Sequence, residues 1–223
     1  MTTIAVPLAI WGTGYVEFLC RWLDGVDNLE RQPNQVVIVT DSNNYAKVKE
    51  AVGDRPLEIH LYQGNGYADY WNRAISLTNC DWLGLCNGDD VFLPEALNDI
   101  DQADAEGCNL ITDKIKDLHD GAITNSSWNG KAVGHAWTMV GCEPMRKDLF
   151  DKCGGFEQDQ RFADWALALK MYHAGVKAFD SDIVRIIYDR GVHRKTISSI
   201  LNGPTELQQG YYSLARLARR LGF

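Results

Sequence analysis

Short apolar runs alternate with amphipathic stretches along the first half of the chain. Residues 4–6 and 36–40 are continuous runs rich in Val and Ile, and such runs are typical of strands that are covered on both faces of a parallel sheet. Between them, residues 15–29 place large apolar side chains three and four positions apart, which predicts a helix that packs on that sheet. The opening segment therefore predicts a β-α-β unit.

The same alternation continues through the middle of the chain. Helices are predicted over residues 44–52 and 67–77, and strands over residues 57–61, 82–86 and 110–112. Strands that alternate with helices predict an open, mostly parallel α/β sheet, Rossmann-like and flanked by helices in a single domain. Ligands of such sheets bind beyond the carboxyl ends of the strands, so the loops after the strands are the places where a site is expected.

The second half adds two helices and one irregular loop. Residues 163–174 predict a helix that ends at Gly175, a residue suited to the left-handed terminating position. Residues 205–221 carry one apolar stripe and predict a closing helix docked on the body of the protein. Residues 125–134 are rich in Asn, Ser and Gly, which indicates a loop over the sheet.

Charge and composition narrow the classes of function. The 223 residues carry a formal net charge of −8, so sequence-independent binding of nucleic acid is not expected. The apolar opening run is about eight residues long, too short to span a membrane. The six cysteines lack the spacing of a zinc site and favour reduced thiols. These features predict a cytoplasmic protein without a transmembrane segment.

One cluster of polar residues directly follows the predicted strand 82–86. It consists of Asn87, Gly88, Asp89 and Asp90. Carboxylates at the end of a strand, beside a glycine that lets a ligand come close to the backbone, suit a hard divalent cation on an anionic substrate. An ordinary acidic turn explains the same residues, and the spacing alone leaves both interpretations open.

Three further polar residues lie earlier in the chain. Asp41 follows the strand 36–40, where it can accept a hydrogen bond from a nucleobase or ribose or cap the next helix. Asn72 and Arg73 lie in the predicted helix 67–77. The guanidinium of Arg73 suits a base or a phosphate, although exposed helical arginines are usually only solvated.

The late part of the chain offers an acid and a basic run. Asp164, at the start of a helix between aromatic residues, either complements the helix dipole or acts as a general base whose pKa is raised by its apolar surroundings. Residues 190–198 include Arg190 and His193 and form a locally basic run in an acidic chain. This run suits a diphosphate, with His193 on the metal or on phosphate oxygens, or it is a solvated turn.

In their order along the chain, these segments resemble the inverting, nucleotide-sugar-dependent glycosyltransferases of family 2, which have the GT-A fold. The resemblance extends over residues 4–199. It includes a helix with Asn-Arg, an apolar strand followed by a D-x-D-like turn, a Gly-Gly-Phe segment, an acid before Trp at a helix start, and a late R-x-x-H element. The matching stretches are residues 66–75, 82–90, 145–150, 154–156, 164–170 and 190–198.

The resemblance implies a role for each candidate residue. Asp41 would contact the base, Asn72, Arg73, Asn87, Gly88 and Arg190 would help to hold the nucleotide, and Asp89 would bind Mg²⁺ or Mn²⁺ with support from Asp90 and His193. Asp164 would deprotonate a hydroxyl of a glycan or other acceptor, and the sugar of a nucleoside diphosphate, UDP-linked, would be transferred with inversion. The implied domain covers residues 1–200, with a nucleotide-sugar half at 1–92, an acceptor half at 93–200, and a docked helix at 201–223.

Two departures from the family pattern leave other functions open. Asn87 replaces the first acid of the D-x-D motif, and Ala163 replaces the acid before the implied base. These changes favour a rival hypothesis, a GT-A scaffold that binds a nucleotide or glycan without catalysis. A nucleotidyltransferase is a further alternative, but residues 12–14 lack the basic residue of its phosphate loop.

Overall fold

The computed structural model describes residues 2–12, 16–112, 114–125, 143–158, 163–189 and 216–221. Within these ranges the chain forms two sheets and the helices that cover them. The strands are β1 Ile4–Ile10, β2 Gln35–Thr40, β3 Glu58–Leu61, β4 Trp82–Leu83, β5 Val91–Phe92, β6 Leu110–Ile111, β7 Lys114–Asp117, β8 Ile123–Asn125, β9 Met145–Arg146, β10 Ala178–Phe179 and β11 Val184–Tyr188.

The helices alternate with the strands as the apolar periodicity predicts. They are α1 Leu19–Asp27, preceded by a 3₁₀ turn at Val16–Phe18, then α2 Tyr45–Val52, α3 Tyr67–Ser76, α4 Ile100–Ala105, α5 Lys147–Lys152 and α6 Ala163–His173. Residues 216–221 are also helical. No helix among the described residues is long and apolar enough to cross a membrane.

The main sheet has seven strands in the order β10-β6-β9-β4-β1-β2-β3. Its pairings are parallel except at β9, which runs antiparallel to both β4 and β6. Because β1, β2, β3 and β4 are parallel, their carboxyl ends meet at one edge of the sheet. The predicted mostly parallel α/β sheet is therefore confirmed, and the candidate residues that follow these strands are brought to one edge.

The core has two layers, one on each face of the main sheet. Alternate residues of β1 and β2 point to opposite faces: Val36 and Ile38 lie in one buried cluster, and Val37 and Val39 in the other. The first cluster includes side chains of α1, α2 and α4, and the second includes side chains of α3, α5 and α6. This burial on both faces explains why these strands are continuously apolar.

A second sheet of four short strands, in the order β5-β11-β7-β8, was not predicted from the sequence. Arg185 of β11 anchors it, because this guanidinium is 1% exposed and pairs with Asp99 at 2.6 Å. Arg185 also donates to Ser181 Oγ at 2.8 Å and to the Ala96 carbonyl. β11 is thereby fixed to the segment that leads into α4.

The helical residues 216–221 contact α6. Leu217, which is 4% exposed, lies in a small apolar cluster with Ala166 and Leu169. The proposed division of the chain into a donor half and an acceptor half stays a prediction.

Candidate functional site

A cleft of about 470 Å³ lies where β1, β2 and β3 end. Each strand contributes the residue that directly follows it: Trp11 after β1, Asp41 after β2 and Tyr62 after β3. Tyr70 of α3 completes one wall. The cleft is therefore located at the carboxyl edge of the sheet, where ligands of open α/β sheets bind.

Aromatic rings form one wall of this cleft. Trp11 stacks on Tyr70, with 6.0 Å between ring centroids and 22° between their planes. Tyr62 meets Tyr70 edge to face at 5.4 Å. A flat aromatic wall suits a planar, uncharged ligand such as a nucleobase.

Asp41 holds the loops at the floor of the cleft. Its Oδ2 accepts the N–H of Gly12 at 2.8 Å, and its Oδ1 accepts the N–H groups of Asn43 and Asn44, each at 2.9 Å. The carboxylate therefore joins the end of β1 to the start of α2. The N-cap of α2 is Asn44 rather than Asp41. Asp41 lies in the cleft, and its direct contact with a base stays a prediction.

Asn72 and Arg73 are adjacent on α3 but have different surroundings. The guanidinium of Arg73 lies over the Tyr62 ring, 5.8 Å from its centroid, at the cleft. Asn72 forms two hydrogen bonds with the backbone of Phe156, in the loop between α5 and α6. The position of Arg73 suits a nucleotide contact, whereas the Asn72 amide is engaged elsewhere, so its role in nucleotide binding stays an untested prediction.

The turn after β4 places its two aspartates in different environments. Asp89 is partly buried, and its carbonyl accepts a hydrogen bond from Arg21. Asp90 is 1% exposed, accepts the backbone N–H of Asp189 at 3.0 Å and contacts the Asn87 amide at 3.4 Å. Burial, and then the nearby Asp89 carboxylate, raise the pKa of Asp90 to about 8. Asp90 therefore has a structural role in this turn, and Asp89 is the better candidate for a cation ligand.

Three residues near this turn were not predicted from the sequence. Asp189, at the end of β11, is 4% exposed and pairs with Arg21 of α1 and with His119, each at 3.3 Å. Arg21 and His119 lie in segments with no recognisable motif, and Asp189 is distant from Asp90 in sequence. The one sequence feature that could have pointed to Asp189 is its position directly before the basic run 190–198.

The turn after β4 has too few metal ligands to enclose a cation. It can hold one only together with ligands from the substrate and water. Within the described residues, no three His, Cys, Asp or Glu side chains are close enough together to hold a metal ion. Asp89 and Asn87 carry side-chain oxygen atoms, the hard-ligand chemistry that Mg²⁺ or Mn²⁺ accepts when substrate phosphates and water supply the other ligands. His193, a predicted ligand, lies outside the described residues, as does Arg190.

Asp164 lies in the first turn of α6. Its Oδ1 accepts the backbone N–H of Trp165 at 2.9 Å. Burial raises the pKa of Asp164 to about 6. A carboxyl group with that proton affinity suits general-base chemistry near neutral pH. The loop 125–134, predicted to cover the sheet, lies outside the described residues except for its first position.

Comparisons with known proteins identify the fold. No family model and no curated protein matches the sequence. Residues 1–349 of S. aureus TarS, solved in complex with UDP-GlcNAc, match with a TM-score of 0.75 at 16% identity, over 96% of this chain and 66% of that one. TarS 1–349 in a second structure gives a TM-score of 0.74 at 14% identity, over 98% and 65%.

A mannosyltransferase is also similar in structure. PcManGT from Pyrobaculum calidifontis, in complex with GDP-Man and Mn²⁺, matches with a TM-score of 0.64 at 17% identity, over 97% of this chain and 70% of that one. The chain thus spans about two thirds of the length of the TarS 1–349 chains. These likenesses confirm the GT-A type of glycosyltransferase fold that the sequence motifs imply.

Proposed function

We propose that this protein is a glycosyltransferase that moves a sugar, with inversion, from a nucleoside-diphosphate sugar to a hydroxyl acceptor on a glycan or glycoconjugate. The observation that carries the proposal is the aromatic-walled cleft at the ends of β1, β2 and β3, which contains Asp41. The fold is shared with chains solved with UDP-GlcNAc and with GDP-Man. We propose UDP as the nucleotide.

In this proposal the donor lies across the carboxyl edge of the main sheet. The base lies against Trp11 and Tyr70, which present a stacked aromatic wall. Arg73, held over Tyr62, is within reach of the nucleotide. The diphosphate lies toward the turn after β4, where the half-buried Asn87 carries an amide; Gly88 is buried there, and its contact with the nucleotide stays a prediction.

Asp89 and the diphosphate oxygens would hold Mg²⁺ or Mn²⁺, which when bound offsets the charge of the leaving diphosphate. Arg190 and His193 come two and five residues after the end of β11, and we propose that they also act on the diphosphate. Asp189, which directly follows β11, is joined to the turn after β4 by the hydrogen bond from its backbone N–H to Asp90.

Asp164 is the proposed general base. Its carboxylate takes the proton of the acceptor hydroxyl as that oxygen forms a bond to the anomeric carbon. The bond from the anomeric carbon to the diphosphate oxygen breaks in the same displacement, and its electron pair leaves with the nucleoside diphosphate. One displacement inverts the configuration. A base of raised pKa matches this role because it is ionised at neutral pH and still a better proton acceptor than an ordinary aspartate.

Two assays test the proposal. A thermal-shift screen of UDP- and GDP-sugars with Mn²⁺ should raise the melting temperature for the true donor, since a ligand that binds only the folded state stabilises it by RT ln(1 + [L]/Kd). Release of the nucleoside diphosphate should then follow when hydroxyl acceptors are added. A protein that binds neither class of nucleotide sugar would refute the proposal.

A binding scaffold without catalysis is the second candidate, favoured by the departures at the cation site. Asn87 supplies an amide where the related motif has an acid, and Asp90 is buried against Asp189. A single carboxylate then remains for the cation. Tight binding of a nucleotide sugar, with no diphosphate release over a broad set of acceptors and with water, would support this candidate.

A further inference from the structure

The side-chain amide of Asn72 uses both of its polar atoms on one residue of a distant loop. Asn72 Nδ2 donates to the carbonyl of Phe156 at 2.8 Å, and the N–H of Phe156 donates to Asn72 Oδ1 at 2.9 Å. The two residues are 84 positions apart in sequence. Such a paired contact fixes both the distance and the orientation of the loop relative to α3.

The loop is shaped to admit this amide. Gly155 has a φ of +70°, and a Cβ at this position would lie 2.5 Å from Asn72 Oδ1 and 3.1 Å from the Phe150 ring. Only glycine accepts both that backbone conformation and that approach. The Gly-Gly-Phe segment is therefore matched to Asn72.

The ring of Phe156 anchors the same loop on α3. It is 4% exposed and meets Tyr67 edge to face at 5.7 Å and Trp71 at 6.5 Å. The ring of Phe150, in α5, also meets the Phe156 ring edge to face, with 5.4 Å between the ring centroids. These packed rings hold the loop in place, and the Asn72 hydrogen bonds define the orientation of its backbone.

The loop in turn is bonded to α6. Lys170 Nζ donates to the carbonyl of Gly155 at 2.6 Å and lies 3.8 Å from the carboxylate of Glu157. Lys170 is on the same helix as Asp164, about 9 Å further along its axis at 1.5 Å per residue. A continuous set of contacts therefore runs from Asn72 of α3 through the loop to the helix that carries Asp164.

We infer that Asn72 is a positioning residue of the acceptor side, which sets the Gly155–Phe156 backbone and through it the helix that carries Asp164. The inference rests on the proposed function and replaces direct nucleotide binding as the role of Asn72. Its neighbour Arg73 serves the donor side at Tyr62. Successive residues of one helix, about 100° apart around its axis, thus act on the two substrates separately.

The test compares three substitutions on α3 in the full chain. Asn72→Ala removes both hydrogen bonds, Arg73→Ala removes the guanidinium at the cleft, and Ser76→Ala is the matched control, since Ser76 is exposed and donates only to the Arg73 carbonyl. Three quantities are measured: the Kd of UDP with Mn²⁺ by calorimetry, kcat and KM for transfer, and amide hydrogen exchange at Phe156.

Asn72→Ala should leave the Kd of UDP within about twofold of wild type, lower kcat at least about tenfold, and speed exchange of the Phe156 amide by a similar factor. Arg73→Ala should weaken UDP binding with normal exchange at Phe156. Asn72→Ser, which keeps one polar atom, should give an intermediate kcat and decides the matter if Asn72→Ala does not fold.

Weaker UDP binding in Asn72→Ala, as large as in Arg73→Ala and with unchanged exchange at Phe156, would overturn the inference. Normal kcat in Asn72→Ala would overturn it as well. A wild-type protein without transfer would instead refute the proposed function, and with it the catalytic consequence of Asn72. The exchange at Phe156 would still decide whether Asn72 orients the loop.

Discussion

The backbone N–H of Asp189 donates a hydrogen bond to Oδ1 of Asp90, with 3.0 Å between nitrogen and oxygen. This bond ties the end of β11, in the second sheet, to the turn after β4 in the main sheet. Arg21 strengthens the junction, because it bonds the Asp89 carbonyl and pairs with the Asp189 carboxylate. The candidate cation site and the end of β11 are thus held against each other by residues that need not touch a ligand.

The buried Asp90 predicts an unusual dependence of stability on pH. Its folded-state pKa, about 8, lies above the ordinary value of 3.8, so the folded state binds the proton more tightly than the unfolded chain does. The stabilising contribution is complete below pH 4 and is lost as the pH rises toward 8. In metal-free buffer, Asp90→Asn should therefore gain at least about 1 kcal/mol of unfolding free energy over wild type at pH 8.

Urea denaturation at pH 5 and pH 8 measures this difference. Asp81→Asn is the control: hydrogen bonds from Thr3 lower the pKa of Asp81, so this carboxylate is ionised at both pH values and its removal should cost the same stability at each. The same loss of stability at both pH values in Asp90→Asn would show that Asp90 is ionised and paired in the folded protein.

The aromatic wall predicts the source of nucleotide affinity. Trp11→Ala should weaken the binding of UDP by about fivefold or more, because stacking of a base on an aromatic ring contributes about 1 to 3 kcal/mol. Calorimetric titration in Mn²⁺ measures the change. Tyr172→Ala, an exposed aromatic residue near the end of α6, is the control and should bind UDP normally. Equal affinities for the two variants would mean that the base does not lie at Trp11.

The raised pKa of Asp164 predicts the pH profile of transfer. The base is active when ionised, so kcat/KM should rise about tenfold per pH unit below pH 6 and level off above it. Initial rates between pH 4.5 and 8 at saturating Mn²⁺ provide the profile. A flat profile across this range would assign the proton transfer to a different group.

The match between Gly155 and Asn72 predicts a stability effect. Gly155→Ala should lower the unfolding free energy by about 2 kcal/mol or more, because it combines an unfavourable positive φ with a close contact to the Asn72 oxygen. Gly154→Ala has a similar φ of +72° but nothing within 4 Å of its Cβ, so it isolates the backbone cost. Equal losses in the two variants would show that the contact with Asn72 contributes nothing.

Local patterns predicted the main sheet because each of its long strands is apolar on both faces. β1 and β2 appear where continuous Val and Ile runs occur, and β1 extends beyond the predicted residues through Ile10. β4 is shorter than predicted: its pairing with β1 covers only Trp82 and Leu83, although Gly84 still donates its N–H to the Ala5 carbonyl at 2.8 Å. Strands β9 and β10 of the main sheet and the whole second sheet were not predicted, because they carry little periodicity and several of them pair with segments far away in the sequence, as Ile187 does with Val91.

The candidate site was predictable where a residue directly follows a strand. Asp41 and Asp89 were selected in this way: Asp41 lines the cleft at the end of β2, Asp89 lies in the turn after β4, and the role of each stays a prediction. The environment of Asp90 and the contact of Asn72 with Phe156 were not predictable, because their partners come from distant segments that only the tertiary fold brings close. The position of Tyr70 in the wall of the cleft was not predictable either, because the pattern of an amphipathic helix does not show which of its rings face a cleft.

Nucleoside diphosphate release from UDP- and GDP-sugars in Mn²⁺, with wild type and Asp164→Asn compared at equal donor saturation, is the most direct test of the proposed transfer. We expect turnover by wild type that falls at least about 100-fold in Asp164→Asn, while the two proteins bind UDP with the same affinity. Equal turnover by both proteins, or UDP binding by wild type with no release for any donor, would contradict the proposed reaction.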